Sequence, residues 1–182
     1  ASGDVIATSG IMNPQIRFGE DLMSRVSYVM MNPGGQADLT SAVRAAVNAL
    51  VTEVTGQAGL TPNDVLDAVF VANPIMHHLF LGIDPTELGG APFALAASQA
   101  LNVAARDLGL QVHGGARVYM LPAIAGHVGA DAAAVALAEL GGSTEETVLV
   151  VDVGTNAEII LATPAAPAAP LSSSNRPTRA IR

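Results

Sequence analysis

Asp152-Val153-Gly154-Thr155-Asn156 is the stretch whose residue types and spacing can do chemistry. It follows an apolar run, Thr147-Val148-Leu149-Val150-Val151, that predicts a buried strand, and it precedes Ala157–Ala162, which predicts a second. A carboxylate fixed at a strand end can hold a magnesium ion through water, because Mg2+ keeps several of its own waters. Gly154 lets the backbone approach a phosphate closely, and Thr155 and Asn156 add a hydroxyl, an amide and main-chain donors at the turn. Asp-x-Gly also makes ordinary hairpins, so the motif alone reads either as a metal and phosphate site or as a plain turn.

Other polar residues have bland readings beside sharp ones. Neighbours on a helix point about 100° apart, so His77-His78 cannot readily share one ion; the expectation is one packed ring and one at the surface. His113 and His127 stand beside glycines in predicted loops and are given no ligand role. Asp131 is placed to favour an early helical turn through the helix dipole. Asn73 could contact a ligand or cap a helix. Glu20-Asp21 and Arg25 read as support for a solvated helix face, and Met30-Met31 as core.

The elements that must position these residues follow from periodicity. Leu22, Val26 and Val29 predict a helix from Gly19 to Met31, and the stripe Leu39, Val43, Ala46, Val47, Leu50, Val51 and Val54 predicts another from Asp38 to about Gly56. Asp64–Val71 predicts a strand leading into a helix at Asn73-Pro74. Residues 84–99 read as loop with a helical turn, followed by an alanine-rich helix ending near Gly109, a strand Arg117–Leu121 and a helix Gly126–Leu140. Asp4–Thr8 reads as a short strand. Strands buried on both faces and interleaved with helices give an α/β class.

Composition limits the function. Eight arginines, no lysine and sixteen acids give a net charge of −8, which disfavours nucleic acid and anionic membranes as partners. An acidic protein accepts nucleotide only where backbone amides or a metal supply positive potential. With no cysteine, disulfides, thiolate zinc and cysteine-held iron–sulfur clusters are excluded from these 182 residues. No apolar run approaches the roughly 20 residues of a membrane span, so the expected location is the cytoplasm.

Asn13-Pro14-Gln15-Ile16-Arg17-Phe18-Gly19-Glu20-Asp21-Leu22-Met23-Ser24-Arg25, Asn73-Pro74-Ile75-Met76-His77-His78-Leu79-Phe80-Leu81-Gly82 and Leu121-Pro122-Ala123-Ile124-Ala125-Gly126-His127-Val128-Gly129-Ala130-Asp131 occur in an order that resembles the reductive activators of corrinoid enzymes. The alanine-rich helix before the VLVVDVGT strand likewise resembles the connecting helix and second phosphate hairpin of the actin-like (ASKHA, ribonuclease H-like) ATPase superfamily. The resemblance covers roughly residues 1–162. It implies an incomplete actin-like lobe over 1–143 without its opening phosphate hairpin, the start of a second lobe over 144–162, and a disordered Ala/Pro/Ser/Arg tail over 163–182.

The resemblance further implies ATP and magnesium as cofactors, with Asp152 serving the metal, Gly154, Thr155 and Asn156 the phosphates, and Asp131 near the interlobe cleft. It implies a corrinoid protein as partner, returned from cob(II)amide to cob(I)amide for methyl transfer. The electron would come from an iron–sulfur cluster in a ferredoxin-like domain that this stretch does not contain. Homo-oligomerisation stays open. The Ala-Pro-Ala-Ala-Pro and Ser-Ser-Ser-Asn-Arg ending departs from the family pattern and leads us to expect a truncated product that is inactive alone, with a frameshifted end left open, which resequencing the locus would check. Two rival readings stand beside this one: a docking module that does not hydrolyse ATP, and a small-molecule kinase of the same superfamily.

Overall fold

The computed structural model describes residues 3–140, 146–153 and 157–164. A 3-10 turn, Pro14–Arg17, leads into α1 (Leu22–Met31) and α2 (Gly35–Gln57). Then come β1 (Asp67–Phe70), α3 (Pro74–Leu81), β2 (Leu101–Ala104), β3 (Arg117–Met120), α4 (Ala130–Leu140), β4 (Val148–Val153) and β5 (Ala157–Ala162). Strands β1, β3 and β2 form one sheet in that order, β1 parallel and β2 antiparallel to β3. A separate antiparallel ribbon joins β4 to β5.

The core follows from the apolar stripes. Phe80, Leu108, Val118 and Met120 are buried between the sheet and the helices, with Phe70 stacked on Phe80 at 4.2 Å between ring centroids. Val26, Leu39, Ile75, Leu79 and Leu88 form a second buried cluster among α1, α2 and α3. The predicted α2 stripe faces inward, and Gln15 is drawn in with it, its Nε2 donating to Leu39 O at 2.9 Å.

Several expectations are corrected. Residues 101–108 are not an alanine-rich helix: Leu101–Ala104 pairs with β3 through the register Leu101↔Met120 to Ala104↔Arg117, and a 3-10 turn, Ala105–Leu108, follows. Strand pairing overrides the helical preference of alanine here. Asp4–Thr8 belongs to no strand. Helix α4 starts at Ala130 rather than Gly126, because Ala125 and Val128 bridge to make a tight turn first.

The strands are not buried on both faces either. Burial alternates along β1 and β3, and Leu149, Val151, Ile159 and Leu161 lie exposed on one face of the β4–β5 ribbon. Met30 and Met31 are exposed rather than core, since the inward side of α1 is taken by Val26. No helix among the described residues is long and apolar enough to cross a membrane.

Candidate functional site

Two helix starts meet at the centre of the site. Asn73 caps α3, its Oδ1 accepting from Met76 N at 2.9 Å, and Pro74 occupies the first turn, where a missing N–H costs nothing. Ala130 N donates to Ala72 O at 3.1 Å, so the head of α4 is tied to the segment between β1 and α3. A Cβ on Gly129 would fall 2.8 Å from both Asn73 Cα and Pro74 Cδ. Only glycine allows this approach, and it brings both positive helix ends to one place.

The β4–β5 ribbon completes a cleft of about 590 Å3. Register places Asp152 directly opposite Glu158, and both line the cleft with Asp131, Asp21, Asn73 and His127. The structure brings Asp131 and Asp152, 21 positions apart in the chain, to the lining of one cleft. Asp131 also stands in the first turn of α4, where its Oδ1 accepts from Ala132 N at 3.0 Å. Gly154, Thr155 and Asn156 lie outside the described residues.

Glu158 and His127 were missed in the sequence. Glu158 was legible, since a hairpin centred on Thr155 sets 152 against 158. His127 was not, because its place in the cleft comes from a turn that packs on a distant loop.

The electrostatics are acidic, with four carboxylates around the cleft. Asp21 is held below the usual carboxylate range because the Ser24 backbone N–H donates to it at 2.7 Å. It therefore stays ionised as the cap of α1. Among the described residues no three His, Asp or Glu side chains are grouped to hold a metal by themselves. Asp131 and Asp152 nevertheless offer hard oxygen donors of the kind magnesium uses when it retains its waters, so the residues present fit a water-mediated Mg2+.

Arg25 does not support a solvated face. It is buried, its Nε donating to Gly19 O at 3.0 Å and one terminal nitrogen lying 3.3 Å from Met76 Sδ. The histidine pair also departs from expectation: both rings are 1% exposed. His78 spans Pro74 O (2.8 Å to Nδ1) and Ala96 N (3.1 Å to Nε2), which fixes its proton on Nδ1 and leaves no lone pair for a metal. Neither nitrogen of His77 has a hydrogen-bond partner. Burial holds both imidazoles below their ordinary range.

A second hollow of about 510 Å3 lies at the α1–α2 turn. Asp84 is its one titratable side chain, and that carboxylate already accepts from Thr86 N and Oγ1 at 2.9 and 2.6 Å. It carries no chemistry comparable to the cleft.

Residues 1–140 match the family model described as the RACo middle region. The chain is similar to the corrinoid activation enzyme RamQ of Eubacterium limosum, 32% identical over 159 residues that make up 87% of this chain and 26% of RamQ. Among solved structures it is similar to a reductive activator for corrinoid, iron–sulfur protein, with a TM-score of 0.84 and 34% identity over 89% of this chain and 26% of that one. The chain spans about a quarter of the length of these relatives.

Proposed function

The chain belongs to the family of corrinoid-enzyme reductive activators, as its RACo middle region, and from that premise we propose that it is the nucleotide-responsive part of an ATP-dependent activator. In this reading residues 1–143 form one actin-like lobe and 144–162 open the second, with Mg·ATP bound between them. The observation that supports it is the convergence of Asp131 and Asp152 on one cleft beside the heads of α3 and α4. Asp152 would hold magnesium through water, Asp131 would approach the same hydration shell, and residues 154–156 would supply donors to the phosphates.

Magnesium, when bound, neutralises phosphate charge inside an acidic cleft, where unchelated ATP would be repelled. In the longer polypeptide an iron–sulfur cluster of a ferredoxin-like domain would pass one electron to the cob(II)amide of a corrinoid protein, giving cob(I)amide competent for methyl transfer. Binding and hydrolysis would bias the arrangement of the two lobes, and so the contacts with that partner, by the difference in nucleotide affinity between states. We place this activity in the cytoplasm.

The test is a calorimetric titration of the purified chain with Mg·ATP, with Asp152→Ala as control. Saturable binding lost in the variant is the expected result. A folded chain that takes up no Mg·ATP would overturn the nucleotide reading and leave docking onto the corrinoid protein as this region's role.

A further inference from the structure

The polar side chains that line the cleft are all carboxylates except Asn73 and His127. Of the side chains that line it, His127 alone can carry positive charge, facing a set that includes Asp21, Asp131, Asp152 and Glu158. Its position is built rather than incidental. The ring packs on Phe93 with 3.9 Å between centroids and an angle of 58° between planes. Phe93 itself is held at φ 58°, a left-handed conformation that a bulky residue rarely adopts without support.

The support comes from the turn that carries the histidine. A Cβ on Gly126 would lie 2.1 Å from Phe93 O and 2.9 Å from Phe93 Cβ, so the two backbones touch where only glycine fits. Next to it, Ala96 N donates to His78 Nε2 and Ala123 N to Ser98 O, pinning the rest of the loop 93–98 to α3 and to the strand β3 exit. The loop is thereby fixed at both ends of the contact, and His127 with it.

We propose that His127 is a ligand-contacting residue of the cleft, its imidazole donating to a phosphate oxygen of a magnesium-bound nucleoside polyphosphate, and that Phe93 is the positioning residue that holds it there. This rests on the nucleotide reading of the cleft and deepens it. Magnesium serves the carboxylate side of such a ligand, and the side facing away from Asp131 and Asp152 needs a donor. The imidazole supplies one without the permanent charge that would tie an arginine to the four carboxylates.

Calorimetric titration with Mg·ATP of the unaltered chain, His127→Phe, His127→Gln and Phe93→Leu tests this, alongside proton NMR of the histidine ring signals. His127→Phe keeps the ring packing and loses the donor, so we expect affinity about tenfold weaker with an unchanged melting temperature. His127→Gln retains a donor and is expected to keep part of that affinity. In the unaltered chain the ring signal missing from His127→Phe should move on addition of Mg·ATP and stay in place with magnesium alone. Phe93→Leu should shift that signal before any ligand is added and weaken binding severalfold. Equal affinity in the unaltered chain, His127→Phe and His127→Gln, with a ring signal indifferent to nucleotide, overturns the inference and leaves the nucleotide reading standing. Absence of binding by the unaltered chain overturns both.

Discussion

Asp152 faces Glu158 across the β4–β5 ladder, and both line the cleft that Asp131 also enters. Like charges directly opposite each other on a sheet are destabilising by about 0.2–1 kcal/mol. On the proposed nucleotide reading, a magnesium ion in the cleft would relieve this pair. Asp152→Asn should therefore leave the melting temperature of the free chain equal or slightly raised, whereas the increase expected for the unaltered chain in millimolar magnesium and ATP should be absent. Thermal melts with and without Mg·ATP check this; a variant still stabilised by ligand as strongly as the parent would contradict it.

Gly129→Ala should be costly in stability and in binding. The added Cβ meets backbone and ring carbons of Asn73 and Pro74 at 2.8 Å, and neither can rotate away as the end of a side chain would. Overpacking of this kind costs about 1–3 kcal/mol, which corresponds to a fall of about 2–4 °C per kcal/mol for a chain of this size. The same change parts the heads of α3 and α4, so Mg·ATP affinity should fall as well. Differential scanning calorimetry showing an unchanged transition would refute it.

The buried histidines predict a stability that depends on pH. Burial lowers the affinity of His77 and His78 for a proton in the native state, whereas in the unfolded chain each titrates near pH 6.5. Below that value the unfolded state binds protons that the native state refuses. Stability is thus fully present above about pH 6.5 and is lost as pH falls, by at most about 1.4 kcal/mol per unit for each histidine. His77→Leu removes two polar nitrogens that have no partner, so it should be neutral or stabilising at pH 7.5 by about 1 kcal/mol and should flatten the pH dependence. Urea denaturation at pH 7.5 and 5.5 decides, and a large loss at pH 7.5 would mean that His77 has a partner in solution.

What was legible in the sequence was whatever obeys a local period. The α2 stripe from Leu39 to Val54, the β4–β5 hairpin and the cap at Asn73 could be read because each is fixed by residues within a few positions of one another. Strand β2 was hidden because Ala104 and Ala105 favour helix locally, and its pairing with β3 is decided 13 or more residues away. The burial of both histidines had a signal that went unused. Pro74-Ile75-Met76-His77-His78-Leu79-Phe80-Leu81 is apolar all round, and a helix of that kind has no solvated face for a histidine to occupy. Asp131 and Asp152 could be nominated from sequence, but their shared cleft depends on Gly129 seating α4 against α3.

Asn73 allows the structural and ligand-binding roles of the α3 head to be separated. Its Oδ1 caps the helix through Met76 N, and the same residue lines the cleft. Aspartate offers the same acceptor geometry and is as good a cap, so Asn73→Asp should preserve or slightly raise stability by interaction with the helix dipole. It also places a fifth carboxylate around the cleft and replaces an amide that can donate with a group that only accepts. Mg·ATP affinity should consequently fall although the fold is intact. Asn73→Ala loses the cap and should cost about 1 kcal/mol, yet it adds no charge, so its effect on binding should be smaller than that of the aspartate variant. Paired denaturation and calorimetric titrations give the two orders. If stability and affinity fall in the same order across both variants, Asn73 acts on the cleft only by holding the helix, and the amide makes no contact with the ligand.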